Sequence, residues 1–80
     1  MDHHLRDLLD QLADRLHLHR GTGEERAREL HHDLRSAVEG DHPVGLADRL
    51  DHEAVEFDTE HPELSSALRQ VADALNAAGI

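Results

Sequence analysis

At 80 residues the chain has room for one small domain, residues 1–80, and it has no cysteine; that excludes a disulfide framework, a thiolate metal site and a thiol nucleophile. Eight basic residues, every one arginine, stand against eighteen acidic ones for a formal charge of −10. Repulsion therefore argues against a nucleic-acid backbone or an anionic membrane surface as partner.

Apolar residues make up 38% of the chain, but many are alanines, with one phenylalanine and neither Trp nor Tyr. A single core of this kind rarely supplies more than about 3–5 kcal/mol. With no disulfide available, self-association is the remaining common route to stability, and a homo-oligomer, most simply a dimer, is expected. The acidic, lysine-free charge set matches a host that favours Arg codons and acidic, salt-tolerant surfaces, and net charge speaks to solubility rather than to fold. The opening stretch MDHHLRDLLDQL is charged and lacks a continuous apolar run, so it reads as neither a secretory signal nor a membrane span. A cytoplasmic location is the expectation.

The first helix is predicted from about Asp2 to Leu18. Leu5, Leu9, Leu12 and Leu16 recur at helical steps, Leu8 widens their stripe, and His19 takes the next seam position. Asp2 suits an N-cap and the positive end of the helix dipole. Arg20-Gly21-Thr22-Gly23 is long enough only for a tight turn between antiparallel neighbours. Thr22, three residues before Glu25, then has capping-box spacing. The second helix runs on through Ala27, Leu30, Leu34, Ala37 and Val38 to Gly40, with His31 at the edge of its stripe and His32 on the polar side.

After a second loop, Gly40 to Pro43, the third helix is predicted from Pro43 or Val44 to Asp58, with Leu46, Ala47, Leu50, Ala54 and Phe57 on its apolar side. Gly45 weakens its first turn by about 1 kcal/mol relative to Ala. The fourth helix has the cleanest pattern: Leu64, Leu68, Val71, Leu75 and Ala78 form one stripe, Pro62 opens it and Gly79 closes it. His42-Pro43 and His61-Pro62 both read as helix-start punctuation, because the residue before proline avoids helical geometry. His61 is placed to cap or pack at the start of the last helix. The predicted fold class is all-α: four short amphipathic helices forming an antiparallel bundle or two helical hairpins.

Phe57, His61, Pro62, Leu64, Leu68, Arg69, Val71, Leu75, Gly79 and Ile80 resemble the C-terminal signature of a family of small bacterial proteins, domain of unknown function 4404. In that signature a Phe is followed by His-Pro, a leucine helix and a terminal Gly-Ile. The leading segment from Leu5 to Leu12 resembles the family's opening helix, so the likeness spans the chain. Where the family carries Met before the terminal Gly-Ile, this chain has Ala78. The resemblance implies a small all-helical protein and no assigned activity.

Nine histidines are the compositional feature closest to chemistry. Imidazole is the commonest metal ligand, but no two of these residues have the i,i+3 or i,i+4 spacing that puts two ligands on one ion from one helix. A metal site must therefore be assembled between elements. Pairing the first two helices about Gly21 makes facing residue numbers add to roughly 43. That brings His3 and His4 near His42 and a carboxylate, a candidate set for a divalent, zinc-like ion. A fainter grouping is His31, His32, His52 and Glu53. Protonating all nine would move the formal charge from −10 to −1, which opens a third possibility, a collective pH response.

Catalysis is not expected. The chain lacks Cys, Lys and Tyr, a glycine-rich phosphate loop and a serine in a nucleophile turn. A helical domain of this size also offers little concavity in which to separate carboxylate pKa values. The leading expectation is a self-associating helical interaction module whose interface is made by Phe57, Leu64, Leu68, Val71, Leu75 and Ile80. The alternative is a divalent-metal binder using His3, His4 and His42.

Overall fold

The structure, a computed structural model, describes residues 3–40 and 44–79. The expected Asp2 cap, and His42, Pro43 and Ile80, lie outside them. All regular structure among the described residues is helical: α1 (His3–Leu18), α2 (Glu24–Gly40), α3 (Leu46–Phe57) and α4 (Pro62–Ala77). The chain divides into two compact units, Met1–His42 and Pro43–Ile80. In the first α1 packs on α2, and in the second α3 packs on α4, so each unit is a helical hairpin.

In the first hairpin the leucine spacing acts as expected. Leu5, Leu9, Leu12, Ala13 and Leu16 of α1 are buried, as are Ala27, Leu30, Leu34 and Val38 of α2. Leu8 is half-buried at the edge of its stripe. The end of α1 is closed by Arg20, whose guanidinium donates to the carbonyls of His17 (2.9 Å) and His19 (3.0 Å), oxygens left without helical partners at a C-terminus. The start of α2 carries a back-reaching carboxylate, but it belongs to Glu24: the Gly21 N–H donates to Glu24 Oε1 at 3.2 Å, and the Glu24 N–H donates to the Gly21 carbonyl at 3.0 Å. The reciprocal contact expected of Glu25 thus sits one residue earlier.

The two helices run antiparallel, with Arg35 of α2 paired to Asp10 of α1 at 3.2 Å and His31 set against His17. These partners lie higher in number than a backbone fold about Gly21 predicts. Helical side chains lean toward their own N-terminus, so each covers a spot about one position back along its helix. A shift of one position on each helix accounts for the Asp10–Arg35 pair, and His17–His31 is displaced further in the same direction.

The second hairpin shows two differences from expectation, both set by glycine. Gly45 has φ +81°, left-handed backbone that an α-helix cannot contain. α3 therefore starts at Leu46 rather than at Pro43 or Val44, with the Arg49 N–H donating to the Gly45 carbonyl at 3.2 Å. At the far end Gly79 (φ +78°) terminates α4, its N–H donating to the Asn76 carbonyl at 3.0 Å. Ala78, expected on the apolar stripe, is instead the exposed C-cap, with its N–H on the carbonyls of Ala74 and Leu75.

Buried positions on α3 are Leu46, Ala47, Leu50, Glu53, Ala54 and Phe57, and on α4 Leu64, Ser65, Leu68, Val71, Ala72 and Leu75. No buried side-chain nitrogen or oxygen among the described residues lacks a hydrogen-bond partner, as a well-formed interior requires.

Candidate functional site

Two polar clusters stand out, one on each hairpin. In the first unit, a cleft of about 70 Å³ opens where α1 ends and α2 begins, lined by Leu16, His17, His19, Arg20, Glu24, Arg28 and His31. The turn geometry places these residues together. His19, just past α1, donates from Nε2 to the Thr22 carbonyl at 2.8 Å, and Arg28 pairs with Glu24 one turn away at 3.0 Å. The His17 and His31 rings face each other across the helix pair, centroids 5.1 Å apart and tilted by 41°. His31, half-buried, is held below its ordinary pKa, first by burial and then by the His17 and Arg35 charges; Asp14 of α1 pulls the other way.

In the second unit Asp58, just after α3, accepts two hydrogen bonds from the fork of Arg69 on α4, at 2.6 Å and 2.8 Å. The buried Ser65 hydroxyl donates to the same carboxylate, and Arg69 also donates to Ser65 Oγ at 2.7 Å. This bidentate arrangement clips the end of one helix to the first turns of the next. Arg69 and then Ser65 hold the Asp58 carboxyl down to about 2, from an ordinary 3.8.

Because the folded value is depressed, the stability this clip contributes is present above about pH 4 and is lost as pH falls toward about 2. The pair is exposed to solvent, so its share is modest. In thermal melts across that window, the wild-type chain is expected to lose stability more steeply than Asp58→Asn. Parallel slopes for the two proteins would count against the clip.

Five of the six residues expected to form an interface, Phe57, Leu64, Leu68, Val71 and Leu75, are buried within the chain, and Ile80 lies outside the described residues. The Phe57 ring lies 6.3 Å from that of His61, and the Phe57 carbonyl accepts the His61 N–H at 2.8 Å. His61 occupies the N-cap of α4, and its side chain makes no capping hydrogen bond; its carbonyl accepts the Ser65 N–H at 3.0 Å. The large apolar side chains exposed among the described residues are Leu18, Val44 and Val55.

Of the candidate metal ligands, His3 and His4 begin α1 as exposed residues, His3 lies 4.0 Å from Asp7 on the same helix, and His42 is outside the described residues. Among the described residues no three His, Cys, Asp or Glu side chains are grouped to hold a metal ion. In the fainter grouping His32 and His52 are exposed while Glu53 is buried. The burial of Glu53 was readable from its spacing, three residues after Leu50 and four before Phe57, which puts it on the apolar stripe. The His17–His31 contact had no such signal, because it joins two helices through side chains rather than through a shared helical step.

No described helix is long and apolar enough to cross a membrane. No curated protein and no solved structure matches the chain. Residues 1–80, its whole length, match the family described as Domain of unknown function (DUF4404), in agreement with the Phe57, His61-Pro62 and Gly79-Ile80 signature, and the chain belongs to that family.

Proposed function

We propose that the protein is a non-catalytic helical module that acts through self-association, most simply as a dimer. The observation that carries this reading is the size of its compact units. Each hairpin comprises about forty residues, a scale at which disulfides, metals or oligomerisation are usually needed to supplement the core. Cysteine is absent, so association is the ready supplement. With Phe57, Leu64, Leu68, Val71 and Leu75 buried inside the chain, contact between copies falls to what the hairpins leave outside. Val55, 63% exposed on the outer side of α3, is the large apolar residue that a helix presents there. The acidic surface around it favours a limited, self-complementary contact over a broad one, since like charges on two copies repel.

The test is sedimentation of the untagged chain over a range of concentrations, combined with thermal melts. A dimer that dissociates on dilution, with a melting temperature that falls in step, is expected. Val55→Glu should shift the equilibrium toward monomer without loss of helicity. A monomer at every concentration, with a melting temperature independent of dilution, would exclude self-association.

A further inference from the structure

We propose that His17 and His31 form a two-imidazole clamp for a divalent transition-metal ion of the zinc class, tying α1 to α2 across the cleft at their shared end. The geometry is the main argument. A tetrahedral Zn²⁺ lies about 2.0 Å from each ligating nitrogen, and each ring centroid stands about 1.2 Å further back. Two such rings on one ion are therefore about 5 Å apart, centre to centre. The His17 and His31 centroids are 5.1 Å apart. One ring comes from each helix, so an ion held between them would cross-link the hairpin.

Room and access fit as well. The cleft that both rings line has about 70 Å³, against the 10–15 Å³ or so that accommodates a single water, so an ion and its remaining waters have space. No three His, Cys, Asp or Glu side chains group around a metal position among the described residues, so the other coordination positions fall to water.

The charges facing the pair come from both helices and the turn. Asp14 on α1 favours a cation, and Arg35 and His32 on α2 oppose one. Among the arginines that approach the cleft, Arg35 is neutralised by Asp10, Arg28 by Glu24, and the Arg20 guanidinium is engaged by two backbone carbonyls. Zn²⁺ or Cu²⁺, borderline ions that imidazole suits, fits this donor set, whereas hard, oxygen-seeking Mg²⁺ does not.

The test is calorimetric titration of the untagged full chain with zinc chloride at neutral pH in a non-chelating buffer, with magnesium chloride as comparison. One saturable Zn²⁺ site per chain and no Mg²⁺ heat are expected. His17→Ala and His31→Ala should each weaken Zn²⁺ binding by about tenfold or more, while His52→Ala and His42→Ala leave it unchanged. His17 is exposed, so its variant should fold normally, and His31→Gln stands in if His31→Ala does not. The absence of a saturable Zn²⁺ site overturns the proposal. So does binding that survives loss of His17, or binding that is lost with His42 instead.

Discussion

Leu68→Asp is expected to unfold the α3–α4 hairpin rather than merely to separate two copies of the protein. Leu68 is completely buried near the middle of α4, on the stripe that continues through Leu64, Val71 and Leu75. Truncating a buried leucine to alanine costs about 2–5 kcal/mol through lost transfer energy and the cavity left behind. An aspartate at the same position adds the cost of burying a carboxylate without a partner, or of protonating it to avoid that burial. A domain of this size has only about 3–5 kcal/mol to lose. The variant should therefore lack the cooperative thermal transition of the parent and show reduced helical circular dichroism. The opposite result is equally informative: a variant that keeps its helicity and its melt, and only becomes monomeric, would place Leu68 on a surface between copies.

That contrast marks where reasoning from periodicity stops. The leucine steps of α1, α2 and α4 identified the stripes, and the stripes are buried as their spacing requires. Periodicity tells which side of a helix must be covered, but not whether the cover is the next helix of the same chain or another copy of it. Phe57, Leu64, Leu68, Val71 and Leu75 fit either case, and in the structure they are buried within the chain.

Helix ends were less easily read, because they depend on backbone torsions. Gly45 costs about 1 kcal/mol inside a helix, but it also permits φ +81°, and the second property set the start of α3. At the other end of the chain the left-handed Gly79 was anticipated, and next to it Ala78 is the exposed C-cap rather than part of the buried stripe.

Polar sites were harder still. The Asp58–Ser65–Arg69 clip joins residues seven and eleven apart around a turn, and the facing of His17 and His31 depends on how two helices are rotated against each other. Both contacts pass from one helix or its end to the next, so no single-element pattern could reveal them. Side-chain lean was the missing correction: once it is included, the Asp10–Arg35 pairing falls where an antiparallel hairpin about the Gly21 turn should put it.

Phe57→Ala is expected to be the most damaging simple truncation in the second hairpin. Phe57 is the chain's sole aromatic outside its histidines, it is 2% exposed, and it is the largest of the fully enclosed side chains. It is also the last residue of α3, so its ring sits where the chain reverses. Its carbonyl accepts the His61 N–H, its ring neighbours the His61 imidazole, and the next residue is the Asp58 that clips Ser65 and Arg69. Removing the ring leaves a cavity at the point where the reversal is fixed, and neighbouring Asp58 and His61, both tied to α4, cannot easily collapse into it.

Phenylalanine-to-alanine changes in cores cost about 3–5 kcal/mol, comparable to the whole stability expected of so small a domain. Urea and thermal unfolding should show the midpoint collapsing in Phe57→Ala, with Phe57→Leu intermediate because it refills part of the volume. A shift of less than about 4 °C, equivalent to about 1 kcal/mol or less in a domain of this length, would mean that the ring is not a structural keystone of the turn. The reversal would then be held chiefly by the Asp58 clip, and Asp58→Asn, modest by the present argument, should instead become the more damaging of the two changes.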